Sequence, residues 1–308
     1  MTSPAPSPAP VVSGLAPALG AYLIWGFLPL YLILVKTVPP FEFVGWRIVW
    51  TLPLCLLIVA YRRQFPELLA ALKSPRSLLA LTASAVLIGI NWFVYIWAIM
   101  AGEVFATSIG YYLNPLVNVL LGTLVLGEKL SRRQWIAVAI AAVAVALLAA
   151  GAVTSLWISL TLGFSFALYG LVRKQVAVGS LPGLTIESAI LLAPAIGIAW
   201  WYAMSPQGSA FGQDAWMSAL IIFSGVVTAV PLLLFAIAAR RMDYSTLGFI
   251  QYLSPTIVFF LGLFVFHQPL APARPPPAPP HSVRNRVWPL ASGTRCGWCA
   301  AAAAHPAA

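Results

Sequence analysis

Polar side chains set inside long apolar runs are the groups of this 308-residue chain whose types and spacing could do chemistry. Such groups are costly in hydrocarbon, so they face a protein interior or a water-filled path, where they hold solutes or relay protons. Asn91 and Tyr95 are four residues apart and share a helical face. Tyr111, Asn114, Pro115, Asn118 and Gly122 follow the same spacing and form one stripe. Gln251, Ser254 and Pro255, with Gly262 further on, form a second stripe. Two polar stripes suit the reversible, non-covalent holding of a small solute. The competing reading is that Asn and Ser join helices by hydrogen bonds while Gly permits close approach. Pro115 and Pro255 are read as helix kinks, or as breaks that turn free carbonyls toward a solute.

Three charged residues add candidates for gating or coupling. Arg47 is set well inside an apolar run; counting from Phe41 at about 1.5 Å per residue puts it roughly 9 Å below the boundary. It either snorkels outward, or pairs with a group from another helix such as Glu103, or contacts an anion. Glu187 lies about as deep from the opposite side, so the two cannot meet across a core roughly 30 Å thick without large tilts. Its apolar neighbours (TIESAIL) suit a carboxyl that takes part in proton coupling, or else a boundary carboxylate bonded to a neighbour. Glu42 is five residues from Arg47 and does not share its face. The aromatic residues Trp25, Trp46, Trp92, Trp97, Tyr111 and Tyr112 could line a pocket for a planar solute or act as interface anchors.

Several classes of function are excluded or disfavoured. His267, His281 and His305 all fall at or beyond the last apolar run, so no metal set is available within the runs, and no metal or other cofactor is expected. No Ser-His or paired-Asp arrangement appears, which argues against an enzyme, and no Walker-type loop argues for a nucleotide-driven pump. Cys296 and Cys299 form a Cys-Gly-Trp-Cys stretch in a Pro- and Ala-rich tail, not the strand-to-helix context of a redox pair; Cys55 reads as a packing residue. A formal net charge of +10 suits basic loops at a membrane better than nucleic acid, which is not expected as a partner.

The elements that must position these residues are membrane helices. Hydrophobic residues make up 61% of the chain and charged ones 8%, with a mean hydropathy of +0.92, too little polar surface to cover a soluble core. Runs long enough to span a bilayer cover 13–35, 41–60, 78–99, 104–126, 135–152, 155–172, 182–203, 217–239 and 244–266. Basic residues crowd one alternating set of loops: Arg62, Arg63, Lys73 and Arg76; Lys129, Arg132 and Arg133; Arg173 and Lys174; Arg240 and Arg241. The other set holds Lys36, Glu103 and Asp214. The basic set, and with it the N-terminus, is therefore placed in the cytoplasm. Residues 1–12 read as a disordered Ser/Pro/Ala segment without the basic flank of a signal peptide, so the first run is read as a retained helix.

The segment 267–308 is atypical: its prolines forbid a membrane helix, and its arginines fall on the side opposite the basic loops. One reading is a disordered Pro/Ala-rich tail. The favoured one is a tenth span lost to a shift in reading frame, since Ala, Arg, Gly and Pro are what misread GC-rich DNA yields. Reading the other frames past the codon for Ala273 decides between them.

The chain repeats itself. YLNPLVNVLLGTLVLGEKL (112–130) aligns without a gap to YLSPTIVFFLGLFVFHQPL (252–270), sharing Tyr, Leu, Pro, Leu, Gly, Val and Leu at matching places. Weaker echoes link Leu19-Gly20 through Trp25-Gly26 with Leu162-Gly163 through Tyr169-Gly170, and Glu42 with Glu187. The fourth run thus recurs as the ninth, and a unit of five spans must enter the membrane inverted the second time. Inverted repeats hold a central site near the midplane between halves.

The stretches AYLIWGFLPLY (21–31), WRIVW (46–50), SAVLIGINWFVYIWA (84–98), ATSIGYYLNPLVNVLLGTLVLGEKL (106–130), GFSFALYGLVRK (163–174) and STLGFIQYLSPTIVF (245–259) together resemble the drug/metabolite transporter superfamily, in its EamA family, and closely its RarD-type permeases. The resemblance implies ten helices and a bacterial-type plasma-membrane permease. The family label ties RarD to the chloramphenicol response, and the substrate stays open. Two departures are that Gln268 stands where the first half has Glu128, and that the tenth helix is missing. The expectation is an all-α, multi-pass inner-membrane protein of five-plus-five inverted-repeat design. It comprises a first repeat at 13–152, a second at 155–266 with four spans, and the atypical tail. The expected function is a secondary transporter working by alternating access. Its partners would be a small-molecule substrate, the lipid bilayer and, as one option, a second copy of itself. The alternatives are a non-transporting scaffold or receptor, which needs no such repeat, and a non-functional truncated copy.

Overall fold

The computed structural model describes residues 14–101, 103–150 and 155–265. The chain divides into Met1–Leu270 and Ala271–Ala308, and every described residue belongs to the first unit. Expectations for 1–12, Gln268, the three histidines, Cys296, Cys299 and a tenth span fall outside the described residues.

Among the described residues there is no strand. The helices are α1 (Leu15–Leu34), α2 (Pro40–Tyr61), α3 (Phe65–Lys73), α4 (Pro75–Met100), α5 (Val104–Leu124), α6 (Arg132–Ala150), α7 (Leu156–Gln175), α8 (Ser180–Ala203), α9 (Ala215–Arg241), α10 (Tyr244–Gln251) and α11 (Leu253–Phe264). Their ends follow local chemistry. Pro40 opens α2, where a missing N–H is harmless and the fixed φ is already helical. Asp214 caps α9, its carboxylate accepting from Met217 N at 2.8 Å.

Seven of these helices, α1, α2, α4, α6, α7, α8 and α9, are long and apolar enough to cross a bilayer. With the chain's composition they make it a multi-pass membrane protein. The remaining predicted runs are helical but differ from plain apolar spans. Helix α5 carries the stripe of Tyr, Asn and Pro. The run predicted over 244–266 is divided at Tyr252 into α10 and α11. Pro255 lacks the N–H that would bond the carbonyl of Gln251, so the ladder weakens there, and Tyr252 N reaches back to Phe249 O at 3.4 Å instead. Helix α5 runs unbroken through Pro115.

The predicted loop 61–77 also contains a helix, α3, of 9 residues. Pro66 in its first turn and Glu67 near its N-terminus favour it, and Leu68 and Ala71 pack into the core. It is far too short to span.

Helix α2 packs on α8 and α9, α1 on α9 and α11, α7 on α4 and α5, α4 also on α8, and α10 on α5. Helix α6 packs chiefly on α5 and leaves most of its apolar surface open, as lipid-facing helices do. The α2–α9 crossing is close because position 225 is glycine: a Cβ there would lie 2.6 Å from the carbonyl carbon of Trp50. Tyr22, Tyr169, Phe235, Tyr244 and Leu247 sit in the largest buried cluster, where the rings of Tyr169 and Phe235 stack at 6.1 Å.

Helix ends are tied by charged side chains gripping backbone. Lys174 Nζ donates to Ala239 O at 2.9 Å and Met242 O at 2.6 Å, closing the C-terminus of α9. Arg240 donates to Val178 O, and Glu67 accepts from Gly179 N at 2.7 Å, just before α8. The residues that the charge pattern groups as one loop set thus meet at one end of the bundle.

Candidate functional site

Arg47 projects from α2 toward α4 and α9. Its Nε donates to Thr228 Oγ1 at 3.0 Å, and its guanidinium lies 4.7 Å over the ring of Trp92. Among the described residues no carboxylate comes within 4.0 Å of it. The expected pairing with a group from another helix is found, with Thr228 of α9 as the partner in place of Glu103, which accepts from Ser155 Oγ at 2.5 Å; the guanidinium also rests on an aromatic face. Tyr111, Tyr31 and Tyr95 lie within electrostatic reach of it. The rings of Tyr95 and Tyr111 meet edge to face at 5.8 Å. Tyr111 is 44% exposed, and Arg47 and Tyr95 are half-buried, so this cluster, the Arg47 chamber, is open on one side.

Below this chamber lies a cavity between α2, α4, α7, α8 and α9. Thr51, Trp92, Tyr169, Glu187, Ser188 and Thr228 contribute to its lining. It is narrow, leaving room for about one water. Trp92 and Thr228, which hold Arg47, also line it, so the cavity adjoins Arg47 across these two side chains.

Glu187 is bonded to neighbours rather than set among apolar groups alone. It is 2% exposed, accepts from Ser84 Oγ and from Tyr169 OH at 3.5 Å, and lies 3.6 Å from Arg173 Nη1. Arg173, counted with the basic loop residues by its place in sequence, is fully buried. Its Nη2 donates to Ser180 O at 2.7 Å, while Nε and Nη1 have no hydrogen-bond partner. The guanidinium lies against Gly183, where any Cβ would collide with it.

The two predicted stripes meet. Asn118 Nδ2 on α5 donates to Gln251 Oε1 on α10 at 2.7 Å, and Tyr22 OH on α1 approaches the same oxygen at 3.5 Å. Asn114 and Asn118 each retain a buried Oδ1 without a partner. Ser254 is half-buried on α11, past the break. Asn91 does something different: its Nδ2 donates to Leu162 O at 2.9 Å and Ser165 Oγ at 3.0 Å, fastening α4 to α7. Of the candidates, then, Tyr95, Tyr111 and Arg47 share the chamber, while Asn91 is spent on helix packing and Asn118 and Gln251 on each other.

Glu42 is fully buried and distant from that chamber in its bonding. Its Oε1 accepts from Ser209 Oγ at 2.5 Å, Ala210 N at 2.8 Å and Trp46 Nε1 at 3.2 Å, drawing the α8–α9 loop over α2, where Phe211 packs on Trp46 at 4.4 Å. Glu128 was legible only as part of a motif. Its carboxylate accepts from Tyr244 N at 2.6 Å and Ser245 N at 2.8 Å, capping α10 from the far end of α5.

Comparison with known proteins agrees with this architecture. Residues 12–150 match the EamA-like transporter family. The chain is 40% identical over 262 residues to the protein RarD of Streptomyces exfoliatus, covering 85% of this chain and 83% of that protein. It is 39% identical over 257 residues to the uncharacterized transporter YojE of Bacillus subtilis, covering 82% and 86% respectively. A solved crystal structure, 18% identical, superposes with a TM-score of 0.64 over 84% of this chain and 90% of that one, a likeness of fold.

Proposed function

The chain belongs to the EamA-like transporter family, with the RarD-type permeases, and from that premise we propose that it is a secondary carrier moving a small organic solute across the bacterial inner membrane by alternating access. Two halves of inverted topology would expose a central site to each side in turn. The observation that carries this reading is an exchange of packing partners. Replacing α1 by α7, α2 by α8, α4 by α9 and α5 by α10–α11 turns the principal contacts of one set into those of the other, α7–α9 being an exception. The α1–α9 contact becomes α7–α4, α1–α11 becomes α7–α5, and α2–α9 becomes α8–α4, while α2–α8 and α5–α10 map onto themselves. A scaffold has no need of this symmetry; a carrier that rocks about a central axis does.

The N-terminus and the end of the bundle carrying Arg62, Lys129 and Arg240 would face the cytoplasm, as the distribution of basic residues supports. The polar chamber around Arg47, Tyr95 and Tyr111 would be the solute site. Closure of the cavity below it to the width of a water supports an assignment of this conformation as one in which that path is shut.

The test is uptake and efflux of a labelled panel of metabolites and antibiotics, chloramphenicol included, by intact cells with and without the chain. Transport of at least one compound that depends on the chain is the expected result. No chain-dependent movement of any compound, with the protein present in the membrane, would remove the carrier reading.

A further inference from the structure

Two arginines within the bundle, Arg47 and Arg173, are treated in opposite ways. Arg173 is sealed in protein beside Glu187, the arrangement of a cation that serves the fold. Arg47 is half-buried and has no carboxylate within 4.0 Å among the described residues. Its Nε is held by Thr228 and one face by Trp92, which fixes the plane of the guanidinium. The terminal nitrogens donate to no group and are not among the sealed, unpartnered atoms, so they open onto the chamber.

The groups that face Arg47 are donors as well. The hydroxyls of Tyr95 and Tyr111 carry no hydrogen bond among the described residues, whereas that of Tyr31 is taken by Leu220 O at 2.8 Å. The carboxylates that might otherwise neutralise the site are committed: Glu42 to the α8–α9 loop, Glu187 to Arg173 and Ser84, Glu103 to Ser155. A fixed cation with a free two-nitrogen edge, flanked by two phenol donors in a low-dielectric chamber, lacks only an acceptor with negative charge. The faces of Trp92 and the tyrosine pair supply flat apolar surface around it.

We propose that this chamber takes an aromatic carboxylate, the carboxylate set end-on against the free edge of Arg47 and the ring against Tyr95 and Tyr111. The proposal rests on the carrier reading for its physiological meaning but not for its test, which is binding to purified protein.

Binding of benzoate, benzamide and benzylamine to the full chain in detergent would be followed by quenching of tryptophan fluorescence, with competition against radiolabelled benzoate. Benzoate should bind saturably and at least tenfold more tightly than benzamide or benzylamine. Arg47→Gln should abolish that preference, and Arg47→Lys should keep part of it. The double variant Tyr95→Phe/Tyr111→Phe, which removes hydroxyls without changing packing, should weaken benzoate several-fold and leave benzamide unchanged. Size-exclusion profiles establish that each variant is folded, and the Phe pair decides the matter if Arg47→Gln is not. Equal binding of benzoate and benzamide, no binding of benzoate, or an undiminished preference in both variants would each overturn the proposal. A chain that moves only neutral or cationic solutes would sink it and spare the carrier reading. Selective benzoate binding without transport of any solute would do the reverse.

Discussion

Arg173 and Glu187, fourteen residues apart on neighbouring helices α7 and α8, form an ion pair at 3.6 Å in which neither side chain reaches solvent. The pair has more help on the acid's side than on the arginine's, where only Nη2 is bonded, to Ser180 O. Glu187 is bonded by Ser84 and Tyr169, whereas two nitrogens of Arg173 are unpartnered. Removing one member of such a pair leaves the other charged and buried, which is worse than losing both.

Arg173→Met alone should therefore destabilise the protein by about 3–5 kcal/mol, and Arg173→Met combined with Glu187→Gln should recover much of that. Thermal unfolding in detergent, read by tryptophan fluorescence, measures both. A double variant no more stable than the single one would refute the pairing as described.

Gly183→Ala should reproduce the effect of losing Arg173, because its methyl would occupy the space of the guanidinium. The same unfolding assay should show a net loss, against the roughly 1 kcal/mol gain that alanine ordinarily gives over glycine within a helix. A gain in stability would mean that the arginine lies elsewhere.

Glu128→Ala should release the N-terminus of α10 at a cost of about 1–2 kcal/mol, with Glu128→Gln intermediate, since an amide oxygen still accepts but carries no charge for the helix dipole. Hydrogen exchange at the Tyr244 and Ser245 amides should accelerate in the same order. Unchanged protection there would exclude the cap.

Asn91 and Asn114 should part company. Asn91→Ala removes two bonds between α4 and α7 and should lower stability by about 1–3 kcal/mol with little change in the apparent affinity for a transported solute. Asn114→Leu removes a buried oxygen that has no partner, so its stability cost should be small, while any solute that uses that oxygen would lose affinity. Side-by-side unfolding and transport measurements separate the two outcomes.

Glu42→Ala should free the α8–α9 loop. The Ala210 amide, now bonded to the carboxylate at 2.8 Å, should exchange with solvent many-fold faster while amides in the α2 core keep their protection. Equal protection in the variant would show that Phe211 and its tryptophan neighbours hold the loop without help.

How much of this was readable beforehand depended on the range of the interaction. Apolar runs announce themselves through composition, and their helices lie where the hydropathy puts them. The polar stripe on α5 was readable through its spacing, and Gln251 through the repeat. Arg173 was not, because it closes an apolar run beside Lys174 and looks like one more loop cation; only the packing of α8 against it buries it. Glu42 sits two residues into α2, where an acidic residue is ordinary, and nothing local says that a loop 168 residues away supplies its donors. Glu128 stands out as a motif letter, yet its partners are backbone amides 116 and 117 residues further on, groups that every residue possesses. Helix α3 was missed because nine residues are too few for a periodic pattern to rise above the charges around it.

The division at Tyr252 has a mechanical consequence. The segment before it lies along α5 and the segment after it along α1, so this stretch is an articulated strut with each arm bolted to a different neighbour. Were those neighbours to tilt apart, the bend would concentrate at the elbow, where the carbonyl of Gln251, already released by Pro255, has no ladder bond to break.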